Sequence, residues 1–272
     1  MLNLFKHEVQ SRLGAMAGWG IGLGLFAAMY IGVYPQMGEQ MADLADLELY
    51  RAMGIDVGSF AGYIASAVLQ FMTLLLGIYA IITSTDALAG EEDSGRLELV
   101  LAMPLRRWQI VTTKALAMAL IAFLILVIMG AGSALVLNAV KATTPVDVSA
   151  GQLFGAVLNG WPLTLVVMML GLFLGAYLPN RRTAALTLTV IFVASYFGNT
   201  LGRMIDSLAE VRRLTLFYYL DTSTTIFTAG VKASDLAVLL GLAALFFGLA
   251  LLAFQRRNVT VGAWPWQRPR LA

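Results

Sequence analysis

The 272-residue sequence contains no cysteine, a single histidine and only 12% charged residues. Each shortage removes a class of function. Without cysteine there is no disulfide framework, thiol catalysis or iron–sulfur centre. One histidine leaves zinc without the ligands it most often takes. His7 stands beside Lys6 and Glu8 ahead of the first apolar run, the setting of a solvated side chain rather than of a metal ligand or a pH switch. Soluble domains carry about 25% charged residues, so 12% charged with 59% hydrophobic places this chain in a bilayer.

Six apolar runs, at 14–34, 59–85, 114–138, 153–178, 184–202 and 235–254, are each about long enough to cross ~30 Å of hydrocarbon as a helix. The fold expected is an all-α membrane protein with six transmembrane helices. With Lys114 and Asp235, the first residues of the third and sixth runs, counted to the polar segments ahead of them, the runs hold no Asp, Glu, Lys, Arg or His. Ion-coupled carriers keep ionisable groups in the membrane at about 2.5–3.5 kcal/mol each, and an intramembrane enzyme needs a base for its nucleophile. Bare runs exclude both, so any uphill movement must draw on another chain. The first run exceeds the 7–15 apolar residues typical of a signal peptide and is read as a retained span. Its glycines (14, 18, 20, 22 and 24) mimic a nucleotide-binding turn, but no strand precedes them and their spacing suits close helix packing.

Six spans put both termini on one side. With the N-terminus inside, twelve of the 18 basic and six of the 16 acidic residues are cytoplasmic, leaving six basic and ten acidic residues outside. The positive-inside rule therefore places both termini in the cytoplasm of a multi-pass protein of the cell membrane. Leu2, Phe5, Val9 and Leu13 form one helical stripe, predicting an interfacial helix over 1–13. Residues 35–58 read as an acidic outer loop containing a short helix. Residues 203–234 read as outer interfacial helices, and 255–272 as a cytoplasmic tail anchored by Arg256, Arg257, Trp264, Trp266, Arg268 and Arg270. So short a basic tail carries no nucleic-acid role. The whole chain, 1–272, is expected to be one transmembrane domain.

Two spans carry small and polar faces. Ser66, Gln70, Thr73, Gly77 and Ser84 form a stripe on the second. Thr183, Thr187, Ala194, Gly198 and Gly202 form one on the fifth, with Ser195 and Asn199 beside it. Two readings stay open: close helix packing, or lining of a pathway between protomers by Ser66, Gln70, Thr73, Thr187, Ser195 and Asn199.

Between the second and third runs lies a hydrophilic island, 86–113. Asp93-Ser94-Gly95 reads as a turn, and Arg96–Ala102 as a short helix with Leu97, Val100 and Leu101 on one side, presented to the cytoplasm. Pro104 stops it, because proline lacks an amide donor and restricts its predecessor. The island follows the pattern Glu-x-x-x-Gly-x-Leu-Glu-x-x-Leu-x-x-Pro-hydrophobic-x-Arg, met by Glu91, Gly95, Leu97, Glu98, Leu101, Pro104, Leu105 and Arg107, with Lys114 beyond. On these residues and the six-span topology the chain resembles the permease subunits of export-type ABC transporters, the second class of bacterial exporters. Arg96 and Arg106 depart from the usual small residue and serine, which makes the surface more basic.

The resemblance implies a coupling helix seated in a cytoplasmic ATPase, with Glu91, Gly95, Leu97, Glu98, Leu101, Pro104, Arg106, Arg107 and Lys114 transmitting nucleotide-driven closure. It also implies two permeases, as a homodimer, with two ATPases, and an amphipathic or hydrophobic cargo such as a drug, antibiotic or lipid passing between the permeases. The sequence has no phosphate-binding Gly-x-x-x-x-Gly-Lys-Ser/Thr motif, so ATP and magnesium are expected on the partner and no cofactor on this chain. The alternative is a membrane anchor or assembly component that docks a cytoplasmic ATPase without passing substrate.

Overall fold

The computed structural model describes residues 1–45, 58–102 and 104–257, giving the backbone course alone at 37–45, 98, 99, 101 and 206. Among these residues there is no strand, and six helices are long and apolar enough to span a bilayer. Helix α1 (Leu2–Gln10) leads through a turn into α2 (Leu13–Ala45), the first span. The second span, α3 (Phe60–Asp93), is followed by the short α4 (Arg96–Leu101) and by α5 (Arg107–Lys141). The fourth and fifth spans are α6 (Ala150–Tyr177) and α7 (Arg181–Met204). Two short helices, α8 (Ala209–Arg212) and α9 (Thr225–Thr228), precede the sixth span, α10 (Ala233–Arg256).

The spans begin where polar side chains can close the first helical turn. Ser59 caps α3 by accepting from the Gly62 amide at 3.0 Å, Ser149 caps α6 through Gln152, and Asn180 caps α7 through Thr183 at 2.8 Å. Span α6 is the centre, lying along α10 and α3 and touching α5 and α7. In its most apolar stretch 78% of residues are buried within the chain, against 22% for α7 and 17% for α10. Those two outer spans leave their apolar surfaces for lipid or a partner. Span α2 packs mainly on α5, aided by glycine: a Cβ at Gly20 would stand 3.0 Å from the Ile128 side chain.

Three expectations change. The first span does not end at 34; the helix passes through Pro35 to Ala45. Proline removes one hydrogen bond and often kinks a helix but need not end it. The acidic loop therefore starts later than position 35, and its remainder, 46–57, lies outside the described residues. The second span does not end at 85. It continues through a π-helical turn at Asp86–Gly90 to Asp93, because Ala87, Leu88 and Ala89 are buried against α6 and α7. A helix of 34 residues is about 50 Å long, so α3 extends well beyond the hydrocarbon. In α1 the buried residues are Leu4 and Glu8, whereas Leu2 and Leu13 of the apolar stripe are exposed on the protein's outer surface. Of the tail, only residues to Arg257 are described. Trp264, Trp266, Arg268 and Arg270 lie outside the described residues.

Candidate functional site

The end of the bundle that carries α1, the 86–107 elbow and the C-terminus of α10 holds a concentrated set of buried charges. Its centre is Lys114, seven residues into α5 and fully buried. The ammonium donates to Glu8 Oε1 of α1 at 2.6 Å and to Glu91 Oε1 of α3 at 2.6 Å. Arg12 closes the group with an ion pair to the other Glu8 oxygen. The four residues sum to zero charge, a condition for burying ions at tolerable cost. Burial alone would raise the Glu8 carboxyl, but attraction from Lys114 and Arg12 outweighs it and holds the group below the usual range.

A second pair lies alongside. Glu92 accepts from Arg257 Nη2 at 2.9 Å, with both side chains almost wholly buried. Arg257 also donates to the Gly175 carbonyl of α6 at 2.7 Å and to that of Pro179 at 3.5 Å. Arg107 donates to the Phe254 and Arg257 carbonyls at 3.2 and 2.5 Å, capping the C-terminus of α10, and lies 5.9 Å from the Phe254 ring. Asp93 accepts from the Arg181 amide at 3.0 Å at the start of α7, and Asp86 pairs with Arg181 at 3.2 Å. Charged bonds therefore join the elbow to α1, α5, α6, α7 and α10, making these pieces one connected block. Glu91 Oε2 and Glu92 Oε1 are buried without a hydrogen-bond partner among the described residues.

This geometry redistributes the residues predicted from sequence. Lys114, expected only as a coupling residue, is the buried hub of this group, because two carboxylates reach it from separate helices. Leu97 is not presented to the cytoplasm; it is fully buried in the core of the chain. Gly95 adopts a φ of +73°, the left-handed conformation that lets the chain turn from α3 into α4. Pro104 and Arg106 are exposed, as is Trp108. The side chains of Glu98 and Leu101 lie outside the described residues. Arg107 is engaged within the protein. The network also includes Glu8, Glu92 and Arg257, which sequence reasoning did not select. A signal was available: Glu8 follows Leu4 by four residues, on the same face of α1.

The polar stripes are mostly committed to packing inside this chain. Ser66, Thr73 and Ser84 donate to carbonyls of their own helix, and Gln70 donates to Tyr196 at 3.1 Å. On α7, Ser195 accepts from the Leu216 amide at 2.7 Å and Asn199 accepts from Arg212 at 2.9 Å, so both tie the span to the 205–232 segment. Thr187 is half-exposed. Gln70, Thr73, Tyr196 and Asn199 nonetheless line a cavity of about 40 Å³, room for water but not for cargo. Among the described residues no three His, Cys, Asp or Glu side chains group to hold a metal.

Six apolar spans around a buried core, with a charged elbow joining the second and third, define a multi-pass membrane protein. The family model of the ABC-2 family transporter proteins matches residues 2–259, and the chain belongs to that family. Its members are transmembrane components of transporters, which work with a separate ABC ATPase. No curated protein matches the chain.

Proposed function

We propose that the chain is the permease subunit of an ATP-driven exporter, assembled as two permeases with two cytoplasmic ATPases. The elbow end is cytoplasmic, α4 with Pro104 and Arg106 meets the ATPase, and an amphipathic or hydrophobic compound leaves between the two permeases. The observation that supports this reading is the connection of the elbow by buried ion pairs to α1 and α5 and by charged hydrogen bonds to α7 and α10. A push on such a block moves several spans together instead of bending one loop. Exposed Arg106 on the ATPase side offers a contact that can be altered without entering the core.

The test is ATP hydrolysis by the purified complex with a cognate ATPase. Arg106→Glu should leave the permease folded, as judged by its elution and unfolding midpoint, while weakening co-elution and stimulated hydrolysis by about tenfold, the effect of losing one charged contact. Leu97→Asp is unsuitable, because it places a carboxylate at a fully buried position and unfolds the elbow. Full hydrolysis and co-elution by Arg106→Glu, with an equally active Pro104→Ala variant, would remove this segment from the ATPase contact.

A further inference from the structure

At the end of the bundle opposite the elbow, the chain folds 205–232 back over α7 and leaves a second polar cavity. It has a volume of about 500 Å³ and is bordered by Arg203, Arg212, Tyr218, Asp221, Lys232 and Asp235. Three cations meet two carboxylates there, yet none of the three is within ion-pair distance of an acid among the described residues. The carboxylates are otherwise engaged. Asp221 accepts from the Ser223 amide at 2.9 Å, from the Ser223 hydroxyl at 2.6 Å and from the Thr225 hydroxyl. Burial would raise this carboxyl, but those hydrogen bonds outweigh it and hold it below the usual range. Asp235 accepts from Ser234.

Arg212 is held in place by its neighbours. Its Nε donates to Asn199 Oδ1 at 2.9 Å, and its guanidinium lies 5.1 Å from the centre of the Tyr218 ring. That fixes the plane of the group and leaves the two terminal nitrogens without a hydrogen bond among the described residues, a fork of the kind that matches an oxyanion. Arg203 has no hydrogen-bond partner among the described residues and is exposed on the same cavity. It also borders the internal cavity beside Gln70 and Thr73. Two like charges that share a wall repel each other, and an anion between them relieves the repulsion.

We infer that this cavity binds the phosphate or carboxylate headgroup of an amphiphile. The oxyanion sits between Arg203 and Arg212 with Lys232 at the rim. The excess of one positive charge suits a single headgroup and does not suit a polyanion. Placement of the cavity on the outer side rests on the orientation proposed above, whereas the binding site itself does not. Two sources supply the same chemistry: a free oxyanion, or a lipid-like molecule that also inserts its tail along the exposed apolar face of α7, where Phe197 and Leu201 lie.

The experiment uses the full chain alone in mild detergent and needs no ATPase, so its failure leaves the permease reading untouched. Binding is measured by calorimetry with inorganic phosphate, with dihexanoyl phosphatidic acid and with zwitterionic dihexanoyl phosphatidylcholine. The expected result is binding of the phosphatidic acid at least tenfold tighter than of the phosphatidylcholine. Arg203→Gln with Arg212→Gln should weaken it about a hundredfold, and Lys232→Gln about tenfold. Equal affinity for phosphate and phosphatidic acid assigns the site to the free oxyanion; tighter phosphatidic acid binding assigns it to the amphiphile. Should the double variant fail to fold, the exposed Lys232→Gln and the charge-keeping Arg212→Lys carry the test. No preference for the anionic probe, or equal binding by these variants and the wild type, overturns the proposal.

Discussion

Replacing Lys114 by methionine isolates the contribution of the elbow network. The ammonium lies 2.6 Å from each of two carboxylates, with the Lys114, Glu8 and Glu91 side chains 0%, 5% and 15% exposed. Methionine preserves much of the volume but removes the one cation that Glu91 contacts among the described residues, while Glu8 keeps Arg12. Removing one partner of a buried pair costs about 3–5 kcal/mol, and the retained Arg12 with the partial exposure of Glu91 favours the lower figure, about 3 kcal/mol. Denaturant titration of the purified protein in mixed micelles reads this directly. A second variant separates lost attraction from stranded charge: Lys114→Met with Glu91→Gln, which leaves Glu8 paired with Arg12, should recover to within about 1 kcal/mol of wild type. A loss below about 0.5 kcal/mol for Lys114→Met alone, the level of an ordinary surface substitution, would refute the view that this lysine is a buried hub.

Gly95→Ala should destabilise by about 1 kcal/mol, because φ is +73° there, while Gly14→Ala in α2, where a new Cβ meets nothing within 4 Å, should stabilise by up to about 1 kcal/mol. Unfolding midpoints check the pair, and the opposite order would be incompatible with the turn described. The Glu8 carboxyl is held below its usual value of 4.5 in the folded protein. Its contribution to stability is therefore complete above pH 4.5 and is lost as the pH falls through the lower folded value. Thermal unfolding of wild type and Glu8→Gln between about pH 6 and pH 3 should show a steeper acid slope in the wild type; parallel curves would contradict the depressed carboxyl.

The apolar runs made the six spans legible, since a stretch of about twenty uncharged residues has few other uses. The ends of the helices were less legible, because they depend on what lies beside them. Asp86 through Asp93 carries four acids and resembles a loop in isolation, yet it remains helical because Ala87, Leu88 and Ala89 have apolar neighbours on other spans. The elbow motif includes both Glu91 and Lys114, but their direct contact spans 23 positions and the Glu8 contact 106. No local pattern encodes such pairings. Ser195 and Asn199 show the same limit: helical spacing put them near a polar face, while their bonds to Leu216 and Arg212 depend on how the outer segment folds back.

The length of α3 has a mechanical meaning. It runs unbroken from Phe60 near one end of the bundle to Asp93 at the charged elbow. For a rod of about 50 Å, a tilt of ~5° imposed at one tip moves the other by roughly 4 Å, the scale of a side chain. On the permease reading proposed above, a small change at the elbow would reach the Phe60 end of the helix as a displacement of that size.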